Sequence, residues 1–106
     1  MAQASTKVHD LINKSSVVVF SKSYCPFCHA TKKTLDGLKA DYEVLELDQE
    51  SDGAAMQDAL QEISGQRTVP NIYINQVKIG GNSDLQSLHS SGKLENLLKE
   101  AGALKA

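Results

Sequence analysis

Sulfur, proline and tryptophan are all scarce in this sequence. It carries two cysteines, two prolines and no tryptophan in 106 residues. So few cysteines exclude the disulfide-dense scaffold with which small secreted domains compensate for a thin core. No apolar run approaches the about 18 residues that read as a transmembrane helix. The opening stretch, MAQASTKVHDL, has neither the apolar segment of a signal peptide nor the arginines of a transit peptide. A cytoplasmic protein with no membrane partner is therefore expected. Charge of one sign is missing too: 11 basic against 13 acidic residues leave a net −2. That excludes a broad basic field for nucleic acid. Internal repeats, linkers and low-complexity segments are absent, and the length predicts one domain over residues 1–106 with a modest core.

What is present is strongly periodic. KVHDLINK, residues 7–14, puts Val8, Leu11 and Ile12 on one helical face. SSVVVF, residues 15–20, is a β-branched run of the kind found in strands covered on both sides. From Pro26, an inward stripe of Cys28, Thr31, Leu35 and Leu38 predicts a helix ending near Lys39 or Ala40. YEVLELD, residues 42–48, reads as a second strand. Residues 52–64 form a helix with Met56, Ala59, Leu60 and Ile63 in the core and Gly65 as its stop. VPNIYI and VKIGG are two strands joined at Asn75–Gln76. Ser83-x-x-Gln86 resembles a capping box opening a helix with Leu85 and Leu88. After Gly92, a last helix carries Leu94, Leu97, Leu98 and Ala101. The order predicts an α/β fold with a mixed four-stranded sheet flanked by helices. Its first crossover should be parallel and right-handed, its closing hairpin antiparallel.

Both cysteines lie in SKSYCPFCHATKK, residues 21–33, where strand gives way to helix. As a structural staple, Cys25–Cys28 is a poor choice, because the loop it closes is minimal. As a zinc site it lacks a second ligand pair, and His9, His29 and His89 are read as surface or helix-end residues; no metal is expected. A redox couple fits better. Cys25 falls at the N-cap and Pro26 at the first helical position, where proline's fixed φ and missing N–H are harmless. The Cys25 sulfur then faces the free amides of a helix N-terminus, which favour the thiolate, with Lys22 as a nearby cation. Cys28, one turn on, lies within bridging distance. Cys25 is expected to attack and Cys28 to resolve.

With Lys22, the Cys25-Pro26-Phe27-Cys28 motif, Thr68-Val69-Pro70 and Gly80-Gly81-Asn82-Ser83-Asp84 in this order, the chain resembles the dithiol glutaredoxins along nearly its whole length. Phe27 departs from the commoner tyrosine, removing a hydroxyl beside the sulfur. The resemblance implies a thioredoxin-like fold and glutathione-dependent reduction of disulfides and glutathionylated proteins, by a monomer with no tightly bound cofactor. It implies a cis peptide before Pro70, with Thr68, Val69 and Pro70 beside the ligand and Val69 bonding its backbone. Gly81, Asn82, Ser83 and Asp84 would receive the γ-glutamyl end of glutathione, and Lys22, Gln57 and Arg67 its glycyl carboxylate; Phe27 would also contact it. Two other functions remain open. One is a thioredoxin-like protein-disulfide reductase, against which stand the missing tryptophan before Cys25 and the Pro-Phe dipeptide. The other is an iron–sulfur cluster-binding glutaredoxin, which Pro26 disfavours. Lys32 and Lys33 read as a solvated helix face, and Tyr24 as either packing or a substrate contact.

Overall fold

The β-branched run becomes the central strand of the protein. In the structure, a computed structural model describing residues 2–105, the run forms β1 (Val17–Ser21), buried at every position. Helix α1 (Ala2–Lys14) precedes it and α2 (Pro26–Gly37) follows. Then come β2 (Glu43–Glu46), a 3-10 turn at Leu47–Gln49, α3 (Gly53–Ser64), the hairpin β3 (Asn71–Ile74) and β4 (Val77–Gly80), α4 (Asn82–Ser90) and α5 (Lys93–Glu100). The sheet order is β2-β1-β3-β4. β1 pairs parallel with β2 and antiparallel with β3, and β3 pairs antiparallel with β4.

Alternation along β1 splits the core in two. Val18 and Phe20 pack with Ala4, Val8 and Ile12 of α1 and with Met56, Ala59 and Leu60 of α3. Val17 and Val19 point the other way, into Leu35 of α2, Leu85 of α4 and Leu94 and Leu98 of α5. Phe20 meets Tyr73 edge-on with ring centroids 6.3 Å apart, and its full burial contributes about 1.5–3 kcal/mol. The hairpin turn places Asn75 at φ 52 and Gln76 at φ 68. A two-residue turn whose twist matches the flanking strands requires both to be left-handed.

Several boundaries differ from the sequence expectation. α1 starts five residues before Lys7 because Ala4, small but buried, extends the face of Val8 and Ile12. α2 stops at Gly37, and Leu38 caps it with helical backbone. Lys39 then turns left-handed at φ 59, so that Ala40 bridges to Leu104. β2 is only Glu43–Glu46, since Leu47 turns inward under α3. Ile63, expected in the core, is exposed. The end of α3 is tied down instead by Ser64, whose hydroxyl donates to Leu60 O and accepts from Gln66 N and Asn71 Nδ2. Gly65 stops the helix at φ 76, as expected. The cap of α4 is Gly81 rather than Ser83, with Asp84 Oδ2 accepting the Gly81 N–H at 3.0 Å. A short carboxylate at the third helical position reaches back there, and Gln86 is used elsewhere.

Candidate active site

Cys25 occupies the N-cap of α2, with extended backbone, and Pro26 is the first helical residue. The Cys28 N–H donates to Cys25 Sγ at 3.3 Å. That amide is one of the free N–H groups of the helix N-terminus, so the Cys25 sulfur serves as the cap's acceptor. In its neutral form the Cys25 thiol donates to Val69 O at 3.8 Å. The Val69–Pro70 peptide is cis. Cys25 is only half-buried, whereas Cys28 is fully buried and both thiols are free. Burial pushes the Cys28 thiol up to about 11, the hydrogen bond with Cys25 adds to the rise, and the Ser21 hydroxyl opposes it. The two sulfurs of one motif therefore differ in access, and burial holds the inner one as a thiol.

The segment ahead of Cys25 is held chiefly by Asp48, which the sequence did not single out. Asp48 Oδ1 accepts the Ser23 N–H at 2.9 Å, and its other oxygen accepts the Ser23 hydroxyl. These bonds hold the Asp48 carboxyl below its usual range, with the nearby Lys22 charge helping. His29 Nε2 donates to Ser23 O at 2.7 Å, and Cys25 N–H closes a turn onto Lys22 O at 3.0 Å. Ser21 lies buried beneath Cys28. Asp48 gives no sequence signal, since its partner is 25 residues away.

Beside Cys25 runs a groove of about 410 Å³ lined by Phe27, Thr68, Val69, Pro70, Gly81, Asn82 and Ser83. Every one of them belongs to the set that the resemblance implied. Phe27 is 65% exposed and forms one wall. Asp84 sits next to the groove, its carboxylate folded against the Gly80–Gly81 turn. Lys22, Gln57 and Arg67 do not line it. Gln57 Nε2 donates to Arg67 O at 2.7 Å. The Arg67 guanidinium is turned onto Asp58 at 2.5 Å and Gln61 at 3.1 Å. Lys32 is not simply solvated: it meets Glu46 at 2.5 Å, both side chains about one-fifth exposed, at 22% and 21%. Tyr24 is 70% exposed.

A glutaredoxin family model matches residues 17–79, from β1 through most of β4, which takes in both cysteines and the Thr68–Pro70 wall of the groove. The glutaredoxin of Ricinus communis is 54% identical over 101 residues, 95% of this chain and 99% of that protein. This chain belongs to the glutaredoxin family. It is accordingly a glutathione-dependent thiol–disulfide oxidoreductase on a thioredoxin-like fold. Glutaredoxin-1 of Saccharomyces cerevisiae is 53% identical over 96 residues, 87% of each chain. Among solved structures, the buckwheat glutaredoxin–glutathione complex superposes with a TM-score of 0.96 at 47% identity, covering 98% of this chain and 94% of that one. No helix among the described residues is long and apolar enough to cross a membrane.

Proposed function

We propose that this glutaredoxin removes glutathione from mixed disulfides through Cys25, with Cys28 as the resolving thiol, and holds the glutathionyl group in the groove beside them. The observation that carries this is the asymmetry of the pair. One sulfur caps a helix, is half-buried and lies against Val69 of the groove wall; the other is fully buried. The Cys25 thiolate attacks the glutathione sulfur of a mixed disulfide. That sulfur–sulfur bond breaks, and the departing thiolate takes a proton. A Cys25–glutathione disulfide remains, which a second glutathione attacks at its glutathionyl sulfur, releasing glutathione disulfide and the Cys25 thiolate. With a protein disulfide, Cys28 loses its proton and attacks Cys25, expelling the reduced protein thiol and leaving a Cys25–Cys28 bond.

In the groove, the Val69 backbone is assigned to the ligand's cysteinyl amide. The Gly81–Asp84 segment presents helix-terminal N–H groups to the γ-glutamyl carboxylate, and Asp84 a partner for its ammonium. Arg67, Gln57 and Lys22 are assigned to the glycyl end, which requires Arg67 to exchange Asp58 for the ligand. That exchange is inexpensive, because the Arg67–Asp58 pair is solvent-exposed. We take the protein to act as a monomer with a single domain over residues 1–106. Glutathione-driven reduction belongs in a reducing compartment such as the cytoplasm. The test is a glutathione-coupled assay on a glutathionylated protein. Cys25→Ser should abolish turnover and Cys28→Ser should retain it. Loss of turnover in both variants would refute this division of roles.

A further inference from the structure

The seam between α2 and α4 contains a short polar chain inside otherwise apolar packing. Thr31 is fully buried on α2, the helix whose Leu35 packs into the same core cluster as Leu85 of α4. Its hydroxyl donates to Asn82 Oδ1 at 2.9 Å. Gln86 Nε2 donates to the same oxygen at 3.1 Å and to Thr34 Oγ1 at 2.8 Å. A valine would occupy the Thr31 site with the same shape and without a hydroxyl to satisfy. Packing alone therefore gives no reason for a threonine.

The consequence falls on Asn82, which lines the groove. An asparagine has two chemically opposite ends, and a rotation of its amide exchanges donor for acceptor. With both lone pairs of Oδ1 engaged by Thr31 and Gln86, the end left for a ligand is Nδ2, a donor. We propose that Thr31 is a positioning residue: from inside α2 it fixes the Asn82 carboxamide with its N–H bonds toward the groove, where they receive the γ-glutamyl carboxylate of a glutathionyl substrate. This rests on the assignment of the groove to glutathione. Without the Thr31 hydroxyl only the Gln86 bond still holds the oxygen, the amide turns more readily, and an oxygen facing a carboxylate repels it. The helix that carries both cysteines thereby sets the chemistry of the opposite groove wall.

The experiment measures kcat and KM at saturating glutathione with two probes, the cysteine–glutathione mixed disulfide and the cysteine–cysteinylglycine mixed disulfide, which lacks the γ-glutamyl end. The wild-type protein should show a lower KM for the first. Thr31→Val should raise that KM about three- to tenfold, the worth of one net hydrogen bond, with kcat within about twofold. KM for the cysteinylglycine probe should not move, and Thr31→Ser should restore the original value. Asn82→Asp, which keeps an acceptor for Thr31 but removes the donor, should raise KM at least as much as Thr31→Val. An unchanged KM in Thr31→Val, equal rises on both probes, or no recovery in Thr31→Ser would each overturn the inference while leaving the groove assignment standing. If the wild-type protein itself fails to discriminate between the probes, the groove assignment falls and this inference with it.

Discussion

At the scale of single residues, position on a helix turns two identical side chains into different reagents. Cys25 accepts an amide N–H and is half open to solvent, while Cys28 is sealed in and its thiol lies up at about 11. Iodoacetamide at pH 7 should therefore label Cys25 and leave Cys28 unmodified in the folded protein, as read by mass spectrometry of the two sites. Labelling of Cys28 at a comparable rate would contradict the burial described. The cysteines, the cap and Pro26 were legible in the sequence because their roles depend on neighbours one to three residues away. Asp48 and Thr31 were not. Each acts through a partner distant in sequence, Ser23 in one case and Asn82 in the other. Periodicity placed Thr31 on the inward stripe, but nothing in the sequence said what its hydroxyl would meet. Ile63 shows the opposite failure: its spacing is right, yet the polar knot at Ser64 takes the space beneath the helix end.

At the scale of elements, order and type followed from apolar spacing, and the errors gathered at the ends. Small residues explain much of this. Ala4 lengthened α1 without any large apolar side chain to announce it. Gly53 opens α3 against the Leu47 turn so closely that an added Cβ would stand 1.9 Å from the Leu47 carbonyl oxygen. Backbone cannot yield as a flexible side chain does. Gly53→Ala should therefore destabilise the protein by about 2 kcal/mol or more, lowering the melting temperature by roughly 10 °C. A thermal melt within about 2 °C of wild type would show that α3 can shift freely, contrary to that close approach. Gly80 is similarly constrained, at φ 117 with the Asp84 carboxylate lying where a side chain would go.

At the scale of the molecule, ionisation links the site to overall stability. The Cys28 thiol rises from 9.0 to about 11, chiefly by burial. The Tyr42 hydroxyl rises from 10.0 to about 12, by burial first and then by its bond to Asp36. Below about pH 8 both groups keep their protons in the folded and unfolded chains, so neither adds pH dependence there. As pH climbs through the unfolded values, the unfolded chain releases protons that the folded one retains, and stability falls until the folded values are passed. The melting temperature should decline between about pH 9 and 12, and Cys28→Ser should flatten the earlier part of that decline. A wild-type curve that stays level or climbs from pH 9 to 11 would contradict this.

The full enclosure of Cys28 also fixes an order of events. Once the two sulfurs are joined, only the outer one faces solvent. A reductant arriving from outside must strike Cys25, so the electron pair departs inward onto the buried Cys28 sulfur, whose thiol lies up at about 11. A basic thiolate leaves slowly, which makes the internal bridge longer-lived than the adduct it replaces. Any cargo this enzyme carries is consequently loaded and unloaded at a single atom, and the hidden sulfur acts as a brake on turnover rather than a second point of entry.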